Sequence, residues 1–219
     1  MPKPTNTEGR AREGAARRSP AKREAILDAA TDLFLRGGYL GTTVDQIAAR
    51  AGVAKQTVYE HFGGKEALFN EIVLRTIDQV GRPFFELIAD TEDGEDVESW
   101  LRDLARRLVR VVREPRLLEL RRLVIAEVGR FPELGRVFAE RGHGRTVEAL
   151  QAKFERLREA GLLAVEDAGL AAQQFNWLVL SIPINRAMFD PRARFTEDEL
   201  DRWADEAVRI FRAAYLADG

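Results

Sequence analysis

Apolar side chains recur along this chain at helical spacing, and no segment shows the sustained alternation of a strand. Ile26, Leu27, Ala30, Leu33 and Phe34 form a first stripe, which Gly37 and Gly38 stop. Val44, Ile47, Ala48 and Ala51 form a short second stripe, and residues 55–61 a third short helix. Leu68, Phe69, Ile72, Val73, Ile77, Val80 and Phe84 mark a fourth helix with Pro83 near its end, followed by a polar loop from Asp90 to Glu95. Val97, Trp100, Leu101, Leu104, Leu108 and Val111 predict a fifth, ended before Pro115. Residues 116–130 make a sixth, Pro132 allows a restart, and Gly142 and Gly144 interrupt a segment that Val147, Leu150, Phe154 and Leu157 continue towards Gly161. A helix from about Ala168 to Phe189 follows. The last opens at Thr196-Glu197-Asp198-Glu199, a capping box, and carries Leu200, Trp203, Ala204, Ala207, Phe211, Ala214 and Tyr215. The chain therefore reads as all-α with about nine helices and no internal repeat.

Composition narrows the chemistry. The 219 residues include no Cys and two His, His61 and His143, so disulfide scaffolds, thiolate zinc sites and cysteine nucleophiles are excluded. We expect neither metal nor cofactor. No apolar run approaches the ~18 residues of a membrane span, and the polar N-terminus lacks a signal-peptide core, so a cytoplasmic location without membrane contact is expected. The only serines, Ser19, Ser99 and Ser181, sit in no nucleophile elbow, and phosphate-loop, zinc-protease and dinucleotide fingerprints are missing, which argues against an enzyme.

The net charge of −2 hides a split. Residues 1–65 hold 11 Lys and Arg against 7 Asp and Glu, a balance of +4, and the remainder balances at −6. A basic head on an acidic body points to nucleic acid, although a solvated charged surface gives the same count. Residues 1–19 are poor in large apolar side chains and read as a disordered basic arm. Arg10, Arg12, Arg17 and Arg18 in it are either solubilising or within reach of DNA.

The run from Thr42 to Phe62 reads as a helix-turn-helix. Thr42 or Thr43 can cap its first helix, and Ala48 is small where two helices must approach. Gly52 supplies a positive φ at the turn, and Val53 and Val58 point back to Ile47. The outer face of the second helix then carries Lys55, Gln56, Thr57, Tyr59 and His61. Gln can read adenine and Thr a base or thymine methyl. Lys55 and Lys65 can neutralise phosphates, while Tyr59 and His61 can donate to phosphate oxygens.

With Phe62-Gly63-Gly64-Lys65-Glu66-Ala67-Leu68 directly behind it, the stretch from Ile26 to Phe69 resembles the DNA-binding domain of TetR-type transcriptional regulators. The match rests on a helix with a central Phe, a Thr before the second helix, Ile-Ala…Ala-Gly-Val, and Tyr-x-His-Phe-x-x-Lys-Glu-x-Leu. The resemblance implies base contacts at Gln56 and Thr57 and backbone contacts at Thr43, Lys55, Tyr59, His61 and Lys65. Ala54 departs from the Ser often found there and removes a side-chain cap worth roughly 1 kcal/mol. Leu123-Val124-Ile125-Ala126-Glu127, Phe131-Pro132-Glu133-Leu134, Gly161-Leu162-Leu163 and Ala171-Ala172-Gln173-Gln174-Phe175 resemble the AefR-like C-terminal subgroup.

Composition, the charge split and the resemblance together divide the chain into three expected units: the arm (1–19), a DNA-binding head (20–65) and a ligand-binding and dimerisation body (66–219). It implies a homodimer on a near-palindromic double-stranded operator, repression, and release by an apolar or amphipathic small molecule. Residues 171–184 are apolar nearly all round, which suits packing on both the own body and a partner; a core helix inside one subunit gives the same pattern. Leu178, Ile182, Trp203, Phe211 and Tyr215 are the candidate interface. Pro183 is expected to kink this helix. Phe84, Trp100, Leu104, Phe138, Phe154, Phe175 and Asn176 are the candidate pocket, with plain core as the alternative for each aromatic. Arg121 and Arg122 could meet an anionic group or lie on a solvated face. A DNA-binding dimer with no small-molecule effector remains the competing reading.

Overall fold

Local capping chemistry sets the helix boundaries. In the computed structural model, which describes residues 19–90 and 96–216, and at positions 81, 83–87, 89 and 90 the backbone alone, Ser19 caps α1 (Pro20–Gly37) by accepting from the Lys22 amide at 3.3 Å. Ser19 thus belongs to the first helix, not to the arm; the rest of the arm lies outside the described residues. Thr43 and Gln46 close a capping box on α2 (Val44–Ala51), and Gly52, at φ 66°, ends it in the left-handed region that a side chain disfavours. Helix α3 (Lys55–Phe62) starts at Ala54 with no side-chain cap.

Helix α4 (Lys65–Asp90) leaves the head. Helix α5 (Val97–Val109) tightens into a 3-10 turn at Arg110–Arg113, and α6 (Pro115–Glu127) begins on a proline. Helix α7 (Pro132–Ala139) runs through a π turn, Glu140–Gly144, into α8 (Arg145–Glu159). The glycines expected to interrupt this segment kink it at Gly142 without separating the two parts. Helices α9 (Ala168–Phe189) and α10 (Glu197–Tyr215) complete the chain; Thr196 and Glu199 form the capping box of α10. Helix α9 continues through Pro183 as one element, with the Val179 carbonyl deprived of its helical donor. Counting α7 to α8 as one kinked rod, nine helices are described, and a single bridge between Leu163 and Leu216 is the only extended pairing among the described residues.

Two apolar clusters hold the helices. The first joins Ile26, Phe34, Ile47, Val58 and Phe62 of α1–α3 to Leu68, Phe69, Ile72, Val73 and Ile77 of α4, and also takes Leu120, Leu123, Val124 and Leu134 from α6 and α7. Packing therefore shows no break at residue 65, where the charge balance changes. The second cluster fills the body, with Trp100, Leu101, Leu104, Phe154, Phe175 and Phe211 at its centre. Arg106 of α5 pairs with Asp205 of α10, and Arg110 of the 3-10 turn with Glu197 and Asp201 of α10. Such exposed pairs contribute little each, but they orient the α5–α10 contact.

Candidate nucleic-acid interface and cavity

Helices α2 and α3 cross over the Gly52 turn because Ile47, Ala48 and Val58 are buried between them. Val53 packs on the same cluster from its edge. The crossing leaves Lys55 and Gln56 exposed and Tyr59 42% exposed on the outer face of α3, with His61 half-buried at its end. Thr43 is exposed at the N-terminus of α2, where the first backbone amides point outward. Lys55 Nζ lies 3.0 Å from the Asp45 carboxylate, whose hydrogen bond raises the lysine pKa and keeps it charged.

Two residues of the expected interface sit differently. Thr57 is 7% exposed, so little of its side chain is left on the outer face of the helix. Lys65 turns inward: its Nζ donates to the Tyr39 and Thr42 carbonyls, at 2.9 Å each, and lies 4.1 Å from the Tyr39 ring centroid. Burial lowers its pKa. Lys65 thereby clamps the α1–α2 connection to the start of α4. Thr42, buried, donates to the Gly38 and Leu33 carbonyls and secures the same connection. Arg50 on α2 grips Asp32 on α1 at 2.6 Å, and this hydrogen bond holds the Asp32 carboxyl below its usual range.

A cavity of about 310 Å³ lies behind the head, between α4, α6, the kinked α7–α8 rod and α9. Ile77 and Val80 line it from α4, Leu117, Leu118, Arg121, Val124 and Ile125 from α6, and Leu180 and Ile184 from α9. Phe138, Gly135, His143, Thr146 and Asn176 complete most of the wall. Ile77 and Val124 belong both to this wall and to the apolar cluster under the head.

Of the candidate pocket residues, Phe138 and Asn176 line the cavity. Trp100, Leu104, Phe154 and Phe175 do not; they form the body core. Phe154 meets Trp100 and Phe175 edge-on at 6.3 and 6.2 Å, and Phe175 meets Phe211 at 5.1 Å. Edge-to-face rings fill one another's space, so the void opens where walls are aliphatic or glycine. The side chain of Phe84 lies outside the described residues. Periodicity missed most of the aliphatic wall. The available signal was α6, whose Leu117, Leu118, Leu120, Leu123, Val124 and Ile125 exceed what a single buried face needs.

Arg121 and Arg122 diverge. Arg122 caps α9 by donating to the Ala187 and Met188 carbonyls at 2.6 and 3.2 Å. Arg121 faces the cavity, and burial lowers its pKa. His143 is also pushed below its usual value, first by burial and then by the Arg121 charge.

Helices α9 and α10 present an apolar groove of about 560 Å³ that includes Leu178, Ile182, Trp203 and Tyr215 of the expected interface. Ile182 is 61% exposed and Ile210 40%. Phe211 is fully buried and forms the floor beneath the groove, not its surface. Among the described residues, no cluster of His, Cys, Asp or Glu could hold a metal ion, and no helix is long and apolar enough to cross a membrane.

Residues 26–72 match the family model of bacterial regulatory proteins of the tetR family, and residues 99–217 the AefR-like transcriptional repressor C-terminal domain. A crystal structure from Mesorhizobium loti, assigned to the TetR-family transcriptional regulators, superposes with a TM-score of 0.83 at 40% identity, covering 91% of this chain and 100% of that one. The flavonoid-responsive regulator FrrA superposes at 0.77 with 28% identity, over 92% and 100% of the two chains. The HTH-type transcriptional regulator LmrA of Bacillus subtilis is 38% identical over 85 residues; the match takes 38% of this chain and spans less than half, 45%, of LmrA.

Proposed function

The chain belongs to the TetR family of bacterial regulatory proteins, a family of transcriptional regulators and not of enzymes, and from that premise we propose that it is a dimeric repressor released from its operator by a small amphipathic ligand. Gln56 reads base edges, while Lys55, Tyr59, His61 and Thr43 meet the phosphate backbone. Lys65 is a positioning residue for the head. The acidic body keeps contact with DNA confined to the basic head. The groove on α9 and α10 pairs with its copy, which sets the separation of two recognition helices on a near-palindromic site. The exposed Trp177, Ile182 and Ile210, with the half-buried Leu178, support this pairing, since a contiguous apolar patch marks a partner surface.

The observation that carries the ligand reading is the double membership of Ile77 and Val124 in the cavity wall and the head cluster. A ligand that spreads α4 from α6 moves the floor on which the head rests. Release follows if the ligand prefers the spread state; a ~10⁴-fold preference takes a 1:99 equilibrium to 99:1. The responsiveness of the similar regulator FrrA to flavonoids supports a small-molecule input of this kind.

Footprinting of the DNA beside the chain's own gene tests the reading, together with light scattering of free protein and complex. The expected result is a protected inverted repeat and two protomers per site. A stable monomer, or binding without a repeat, rejects the dimer. Leu180→Trp, which fills the cavity, is expected to retain the footprint and lose ligand release.

A further inference from the structure

We propose that the cavity takes an amphipathic ligand bearing one carboxylate, seated with its charge on Arg121 and an adjoining polar edge on Asn176. The inference rests on the reading of this cavity as the effector site and adds the chemical class of its occupant. Three observations converge. First, Arg121 stands on a largely aliphatic stretch of the wall and has no ion pair or hydrogen bond among the described residues. Its neighbour Arg122 is satisfied by two carbonyls, and Arg110 and Arg136 are paired with carboxylates. Arg121 is half-buried and a guanidinium keeps its charge, so its partial desolvation is a cost that an anion offsets.

Second, Asn176 is 1% exposed, lines the cavity, and finds no partner for either Oδ1 or Nδ2 among the described residues. An orphaned buried amide is destabilising, and a ligand offering both a donor and an acceptor satisfies it. Third, among the described residues no Asp or Glu lines the cavity, so none of them receives a cationic ligand. His143, neutral above its lowered pKa, adds a ring N–H to the Arg121 side without a second charge. The remaining wall, from Val80 through Leu180 to Ile184, takes the apolar end. At ~30 Å³ per water-sized group, 310 Å³ holds roughly ten such groups, the size of a medium-chain or aryl-alkyl acid.

Octanoate and 4-phenylbutyrate, each compared with its primary amide, serve as probes in calorimetric titration of the full chain. The acids are expected to bind about tenfold tighter than the amides, because charge-assisted hydrogen bonds are about twice as strong as neutral ones. Arg121→Met is expected to abolish that preference while leaving amide binding in place, and Arg121→Lys to retain part of it. Asn176→Leu weakens acid and amide alike. Equal affinity of acid and amide for the unaltered chain, a preference that survives Arg121→Met, or no binding by either acid overturns the proposal. DNA release measured in parallel separates the two readings. Amides that bind and release DNA as well as the acids leave the effector site standing and sink the carboxylate. Acids that bind through Arg121 without releasing DNA uphold the ligand chemistry and sink the effector reading.

Discussion

Replacing Lys65 by Met keeps most of the stem that lies on Tyr39 and removes the ammonium. Two hydrogen bonds of 2.9 Å to the Tyr39 and Thr42 carbonyls disappear, as does the contact 4.1 Å above the Tyr39 ring. Hydrogen bonds from charged groups contribute about 1.5–3 kcal/mol each, and a partly exposed cation–π contact about 0.5–1. Against this, the variant no longer desolvates an ammonium, a cost visible in the lowered lysine pKa. The net loss is about 2–3 kcal/mol. At roughly 2–4 °C per kcal/mol for a chain of this size, the melting temperature falls by roughly 5–10 °C. Operator affinity also falls, because the clamped segment carries Thr43 and the start of α2. The salt dependence separates positioning from phosphate contact. A lysine that neutralises a phosphate lowers the slope of log K against log salt by about 0.9 when removed, whereas a clamp leaves the slope unchanged. Thermal unfolding and fluorescence anisotropy between roughly 50 and 200 mM salt measure both. An unchanged melting temperature with a slope lower by about one would refute the clamp.

Gln56→Ala is expected to relax sequence preference at one operator position by about 1–3 kcal/mol, and Tyr59→Ala to weaken all sequences alike; competition binding with single-base operator variants tells them apart. Ile182→Glu places a charge on the most exposed apolar side chain of the α9–α10 groove. It is expected to give a folded monomer by light scattering, with circular dichroism unchanged. His143 has a folded pKa below 6.5, so on acidification the unfolded chain takes up this proton first. Its contribution is complete above that pH and declines as pH falls through and below it. His143→Gln should therefore flatten the loss of stability below pH 6.5, as followed by chemical denaturation at a series of pH values. Gly41 leaves no room for a side chain, because a Cβ there falls on the Gly37 carbonyl oxygen. Gly41→Ala is expected to cost about 1–3 kcal/mol, read as a lower melting temperature.

The residues that reveal the head act over short distances, which is why they are legible in order along the chain. Thr43 and Gln46 close a capping box three residues apart, Gly52 turns the chain by its own backbone freedom, and Thr196 and Glu199 repeat the box at α10. Ala54 lacks a cap as its side chain requires. The stripes of α1, α2 and α10 name their buried faces because a 3.6-residue period leaves one choice. Helix, turn and cap chemistry thus determined the all-α class and the position of the helix-turn-helix.

Tertiary structure decided whatever depends on which neighbour fills a given space. Trp100, Phe154 and Phe175 look alike as core or as ligand wall until Phe211 is seen to pack among them. Thr57 and Gln56 are adjacent, yet the packing of the head buries one and leaves the other exposed. Arg121 and Arg122 are neighbours of the same type; α9 supplies two carbonyls to one and a cavity to the other. Lys65 is a basic residue beside a recognition helix, and only the fold brings the Tyr39 and Thr42 carbonyls, 26 and 23 positions away, to its ammonium. A side chain's period and capping bonds lie within a few residues of it, whereas voids, clamps and unpaired charges arise from elements far apart in the chain. Those features follow from packing and not from pattern.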